Sequence, residues 1–344
     1  MPVVDTYLEQ AVKLNASDLH LGAGVRVFAR VLGDLRPISE ESVSPEDSES
    51  MVAGFLGPDL WAKAQQTLEV DTSYTLPSGD RFRVNAFRER TGWNIVARHF
   101  SSRILSVEEL GLPPILNRFA DANQGLILIT GPGRSGKSTT AAALIDYINS
   151  RREDHIITIE DPIEFLHPRK ECLVNQRGVG PHTDSFASAL RGALREDPDI
   201  IVVGEMRDTE TMSLALTAAE TGHLVIGTLC TNSAAATISR VINMFPSAER
   251  SQATISLSES LVGIISQRLL PESTGKRLVP AFEVLVNTLA VANIINSNEY
   301  HKLASALSTG QREGMVTLEN SLKKLVNDQV IDKKKMEEIL AEEL

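Results

Sequence analysis

Between residues 126 and 148 an apolar run, a glycine-rich turn and an alanine-rich stretch follow one another, and this succession constrains the fold more than any other feature. Leu126-Ile127-Leu128-Ile129-Thr130 reads as a buried strand. Gly131-Pro132-Gly133-Arg134-Ser135-Gly136-Lys137-Ser138 then fits the pattern G-x-x-x-x-G-K-[ST], and Ser138 to Ile148 carries helix-forming residues. A strand that ends in such a turn and restarts as a helix is the context in which backbone N–H groups cradle phosphate. It predicts an α/β fold with a parallel sheet, binding the phosphates of ATP or GTP. Residues 131–138 and the adjoining Thr139 are the expected nucleotide-binding residues, with Lys137 on the β- and γ-phosphates and the Ser138 hydroxyl on Mg²⁺.

The rest of the chain agrees with that class. At 344 residues there is room for about two domains. The net charge of −11 weighs against a nucleic-acid motor, which carries a basic footprint, so no nucleic-acid partner is expected. The two cysteines, Cys172 and Cys230, lack metal-type spacing. No apolar run approaches the roughly 18 residues of a membrane span, and MPVVDTYLEQ lacks the basic and apolar regions of a signal peptide. A cytoplasmic protein without direct membrane insertion is expected.

Periodicity divides the chain. Residues 5–14 have helical spacing, Ser17 to Leu21 turns extended, and Val25 to Leu35 reads as a hairpin around Gly33-Asp34. A helix is predicted near 46–56 with Pro45 in its first turn, then a second hairpin through Pro77-Ser78-Gly79-Asp80, and a strand over Trp93 to Phe100. This makes a small α+β module over residues 1–100. Residues 101–114, with Gly111 and Pro113-Pro114, read as a linker. From 115 onward strands are predicted at 126–130, 156–160, 200–204 and 224–229. Helices fall near 138–150, 185–195 and 209–221. After about 250 the pattern reads as mostly helical, and Asp332 to Leu344 as a charged helix with a solvated face.

Three further segments carry chemistry. Asp199 to Glu205 is an apolar strand ending in an acid, which places Glu205 to polarise an attacking water; Gly204 stands where a metal-directed Asp is usual. Glu160, Asp161 and Glu164 gather three acids after the 156–160 run, a cluster that repels itself unless it faces Mg²⁺ or Arg. Thr221-Gly222-His223 offers an imidazole as a candidate γ-phosphate sensor.

In this order the loop at 131–138, TIEDPIEFLH at 158–167, LREDPDIIVVGEMRD at 194–208 and TGHLVIGTL at 221–229 resemble the secretion-ATPase superfamily, and most closely its type IV pilus retraction ATPases. ASDLHL at 16–21 and RFRVNAF at 81–87 are similar to the family's N-terminal PAS-like domain, and GMVTLENSL at 314–322 to its helical C-terminal region. The resemblance implies a PAS-like α+β domain at 1–100 followed by a RecA-like P-loop ATPase domain at 115–344, assembled as a homohexamer. It implies ATP and Mg²⁺ as cofactors, with Glu205, Glu160 and His223 catalytic and with Ser138, Glu160, Asp161 and Glu164 around the metal. Arg81, Arg83 and Arg98 match arginines that approach the γ-phosphate of an adjacent subunit. The implied output is pilus retraction and twitching motility, through an inner-membrane pilus platform protein that would hold the cytoplasmic motor at the membrane.

The sequence departs from the family's pattern in four places. Arg134 stands where the loop usually has glycine, and Cys230 where a second histidine is expected. The segment 290–296 (AVANIIN) lacks the arginines of the retraction family's equivalent. No four-cysteine zinc module is present, which argues against the assembly and type II secretion ATPases that carry one. The first three departures favour, as an alternative, an accessory and weakly active retraction paralogue; a DNA-translocating or conjugation-type ATPase is the other.

Overall fold

A computed structural model describes residues 3–31, 33–100, 103–275 and 277–341. They pack as two compact units: one holds the residues up to Arg103 together with Glu164–Leu166, the other Ile104–Ile163 and the residues from His167 on.

In the first unit α1 (Val3–Lys13) leads to β1 (Asp18–Gly22), β2 (Arg26–Val31) and β3 (Asp34–Ser42), then α2 (Pro45–Thr67), β4 (Glu69–Thr75), β5 (Arg81–Glu89) and β6 (Gly92–Phe100). The six strands form one antiparallel sheet in the order β3-β2-β1-β6-β5-β4. Alternation sends Leu19, Ala29, Val84, Ala86, Ile95 and Ala97 to one buried face, where they meet the apolar sides of α1 and α2. Both hairpins lie where the sequence predicts them. The helix predicted near 46–56 runs instead to Thr67, with a break at Gly57 (φ +71°) before Pro58. Glycine admits the left-handed turn and proline restarts the helix, so the reading from periodicity ends at this break and omits the second segment, about three turns long.

In the second unit α3 (Ile115–Ala120) precedes β7 (Gly125–Thr130), α4 (Lys137–Asn149), β8 (His155–Glu160), β9 (Leu173–Gly178), α5 (Phe186–Ala193), β10 (Ile200–Val203), α6 (Thr209–Glu220) and β11 (Leu224–Leu229). There follow α7 (Ala234–Met244), α8 (Arg250–Ser260), β12 (Leu261–Pro271), β13 (Leu278–Val286), α9 (Leu289–Asn296), α10 (Leu303–Thr309), α11 (Leu318–Asn327) and α12 (Lys333–Ala341). The sheet order is β13-β12-β7-β11-β10-β8-β9, parallel except for β13. The residues of β7, β10 and β11 are all buried, as a parallel sheet covered on both faces requires. Each buried Ile, Leu or Val there contributes about 1.5–3 kcal/mol. Residues 104–114, expected as a linker, give Val107 and Leu112 to this core.

Three features here add to what periodicity predicts. The region after 250 is mostly helical, as read, but it also contains β12 and β13, a hairpin that extends the sheet, with β12 parallel to β7. Leu261–Leu270 (LVGIISQRLL) is buried at positions of both parities, so it lacks the alternation that separates a strand from a helix. The edge strand β9, LVNQRG, is polar and largely accessible, so it lacks the apolar signal altogether. The last helix is not merely solvated, since Ile339 is 3% exposed and packs with Leu270, Val279, Leu318, Leu322 and Ile331.

Candidate nucleotide site

The parallel register sets the site at one edge of the second sheet. Thr130 lies beside Leu229, Gly227 beside Val203, and Val203 beside Ile159. The carboxyl ends of β7, β11, β10 and β8 therefore bring the glycine-rich loop, Cys230, Glu205 and Glu160 to the same side, where ligands bind in open α/β sheets.

Close approach shapes the loop. Gly131 (φ +149°) leaves no room for a Cβ, which would meet the Gln267 carbonyl at 2.3 Å and Ser135 Oγ at 2.5 Å. Gly136 (φ +87°) is the N-cap of α4, and a Cβ there would meet Gln267 Nε2 at 2.7 Å. No side chain caps α4, so the N–H groups of its first turn, which begins Lys137-Ser138-Thr139, face outward for an anion. The Lys137 ammonium donates to the carbonyls of Gly131 (2.8 Å) and Pro132 (2.9 Å), which holds its charge over the loop. Pro132, Gly133 and Arg134 are exposed and Ser135 is buried. Arg134 has φ +66°, the left-handed region that favours glycine. That backbone requirement accounts for the glycine usual at this position.

Behind the loop lies a buried polar layer that the sequence reading missed. Thr140 Oγ1 donates to Gln267 Oε1 at 2.6 Å, and Thr130 Oγ1 to Ser266 Oγ at 3.1 Å. Both partners come from β12. A buried glutamine inside an apolar run, as in ISQRLL, was the available signal, because such a side chain needs a partner.

Glu205 stands two residues beyond β10. Its Oε2 accepts from Arg207 Nη2 at 2.5 Å and its Oε1 from Cys230 Sγ at 3.5 Å. The Arg207 guanidinium holds the carboxyl below the usual carboxylate range, opposed by partial burial and helped by the Cys230 thiol and the Lys137 charge. Glu160 ends β8, and its Oε1 accepts from Thr158 Oγ1 (2.6 Å) and Gln176 Nε2 (3.1 Å).

Geometry bears on two groups of the expected site residues. Among the described residues no three His, Cys, Asp or Glu side chains gather as a metal cluster. Glu160 is tied to Thr158 and Gln176, while Glu164 packs with the first unit. His223 precedes β11 and pairs with the opposite end of the sheet: its carbonyl accepts from Gly125 N, and its Nδ1 lies 3.0 Å from the Ala218 carbonyl. Six strand residues at about 3.3 Å each separate it from the loop end of β11. Cys230 occupies the loop end instead.

In the first unit Arg83 and Arg98 stand opposite each other on β5 and β6 and point to the same face. Asp71 (3.8 Å) and Asp18 (2.9 Å) flank them and offset the repulsion of like charges in register. Arg81 is 8% exposed; its guanidinium lies over the Phe100 ring and donates to the Glu164 carbonyl.

A loop between β7 and α4 that leaves N–H groups for an anion, with a carboxylate at the end of a neighbouring parallel strand, defines a phosphate-loop nucleotide-binding protein. The chain belongs to the type II/IV secretion system protein family, whose model matches residues 1–338. It is 47% identical over 328 residues, 95% of both chains, to the type IV pilus retraction ATPase PilT of Pseudomonas aeruginosa. It is 49% identical over 302 residues to a twitching motility protein of Neisseria gonorrhoeae, covering 88% of this chain and 81% of that one. The crystal structure of the pilus retraction motor PilT with bound ADP superposes with a TM-score of 0.89 at 42% identity, over 97% of this chain and 96% of that one. The resemblance read from the four motifs therefore holds along the whole chain, and the protein is a secretion-family ATPase. Among the described residues no helix is long and apolar enough to cross a membrane.

Proposed function

We propose that this protein is a motor that hydrolyses ATP to retract type IV pili and so drives twitching motility. The observation that carries this reading is the 47% identity to a retraction ATPase across 95% of both chains. The loop amides, the α4 N-terminus and Lys137 would hold the phosphates. Ser138, in the first turn of α4, fits Mg²⁺, which takes oxygen donors and keeps water and phosphate in its shell. When bound, Mg²⁺ neutralises charge on the β- and γ-oxygens. Glu205 orients and polarises the attacking water.

The same reading makes the protein a homohexamer acting in the cytoplasm on an inner-membrane platform protein. The six-stranded antiparallel sheet with two helices supports a PAS-like assignment for the first unit, and the phosphate-loop sheet a RecA-like one for the second. Arg83 and Arg98, partly accessible on one sheet face, are suited to reach the γ-phosphate of an adjacent subunit, with Arg81 bracing that face. A guanidinium supplied across an interface stabilises transition-state charge only when the ring closes.

Deleting the gene in its host, and scoring pili together with movement, tests the reading. Retraction predicts hyperpiliated cells that do not twitch. Loss of pili would assign the motor to assembly instead.

A further inference from the structure

The two oxygens of the Glu205 carboxylate have unlike neighbours. Oε2 meets the cationic Arg207, whose side chain is 74% exposed, and Oε1 meets the neutral thiol of Cys230. Position in the sheet makes the difference directional. Cys230 follows β11, which lies between β10 and the loop strand β7, so the oxygen it touches is turned toward the phosphate loop. Arg207 also feels the charge of Asp161, just beyond β8 on the other side of β10, so Oε2 is turned toward the acidic segment.

We propose that Glu205 accepts the water proton through Oε1 alone, and that Arg207 and Cys230 are the positioning residues that make its two oxygens unequal. The inference rests on the ATPase reading above. A charge-assisted bond to guanidinium is roughly twice as strong as a neutral one, and it withdraws basicity from Oε2. A thiol is a weak donor, so Oε1 keeps both its orientation and a lone pair for water. Of the charged groups acting on this carboxylate, Lys137 lies on the loop side and Arg207 on the other. In the step, the water oxygen forms a bond to the γ-phosphorus and one water proton moves to Oε1. The bond from the γ-phosphorus to the β,γ-bridging oxygen breaks, and its electron pair leaves with ADP. The proton returns from Oε1 to the released phosphate, and the carboxylate is restored.

The test is steady-state ATP hydrolysis by the full chain with Mg²⁺, for wild type, Glu205→Gln, Cys230→Ala, Cys230→Ser and Arg207→Ala. Cys230→Ala is expected to lower kcat about 3- to 10-fold, the worth of one net hydrogen bond, with KM unchanged. Cys230→Ser, which keeps a donor, is expected to restore kcat. Arg207→Ala removes the largest influence lowering the Glu205 pKa and is expected to move the acid limb of kcat to higher pH. Cys230→Ala with wild-type kcat, Ser failing to restore it, or an acid limb unmoved in Arg207→Ala would each overturn the proposal. An active wild type beside an inactive Glu205→Gln leaves the ATPase reading standing in each of those cases. Wild type no faster than Glu205→Gln would overturn both.

Discussion

Gln267 accepts the hydroxyl of Thr140 at 2.6 Å from behind the phosphate loop, and its own carbonyl closes the space beside Gly131. One residue of β12 thus sets two points of the loop, at its first glycine and on the helix that follows. A buried amide has few other partners, so both points depend on this one residue.

Replacing Gln267 by Leu leaves the Thr140 hydroxyl buried without an acceptor. The expected cost is about 1–3 kcal/mol of stability, together with weaker nucleotide binding. Urea unfolding and ADP titration calorimetry measure the two. A variant with wild-type stability and affinity would show that the loop does not depend on this buttress.

Gly136→Ala should disable the loop more severely than its size suggests. Alanine is strained at φ +87°, and its Cβ would press on Gln267 Nε2 at 2.7 Å. The expected result is loss of measurable ADP binding from a protein whose far-UV circular dichroism is unchanged.

Arg134→Gly acts in the opposite direction. A non-glycine residue in the left-handed region costs about 1–2 kcal/mol, and glycine returns part of that through its extra freedom in the unfolded chain. A net gain of about 0.5–1 kcal/mol in chemical unfolding is expected. A loss would mean that the Arg134 side chain makes a contact worth more than the strain.

Glu283 supplies a pH test independent of catalysis. Burial raises its pKa, against the N–H of Ala234 that it accepts and the charge of Arg268. Its native state therefore holds the proton more tightly than the unfolded chain, and stability falls as pH rises from the unfolded value through the folded one. Glu283→Gln keeps an acceptor for Ala234 but removes the titration. Its Tm relative to wild type should increase between pH 4.5 and pH 8; a gap independent of pH would contradict the assignment.

The site was legible where chemistry and pattern coincide. The β7 run, the loop and Glu205 can be read because a short apolar strand followed by specific residues leaves few alternatives. Gln267 and Arg207 were not assigned, because their roles arise from partners distant in sequence or from the turn of a chain after a strand. His223 is a different case. Its neighbourhood in sequence suggested the site, but the direction of β11 decides which end faces the loop, and that is Cys230. The β12–β13 hairpin was missed because burial on both faces erases periodicity.

The central claim is that the loop and Glu205 form one hydrolytic site, and turnover of ATP tests it most directly. Purified wild type should hydrolyse ATP in the presence of Mg²⁺, while Lys137→Ala and Glu205→Ala, folded as wild type, should lose at least about 100-fold in kcat. Wild-type turnover no higher than that of the two variants would contradict the account.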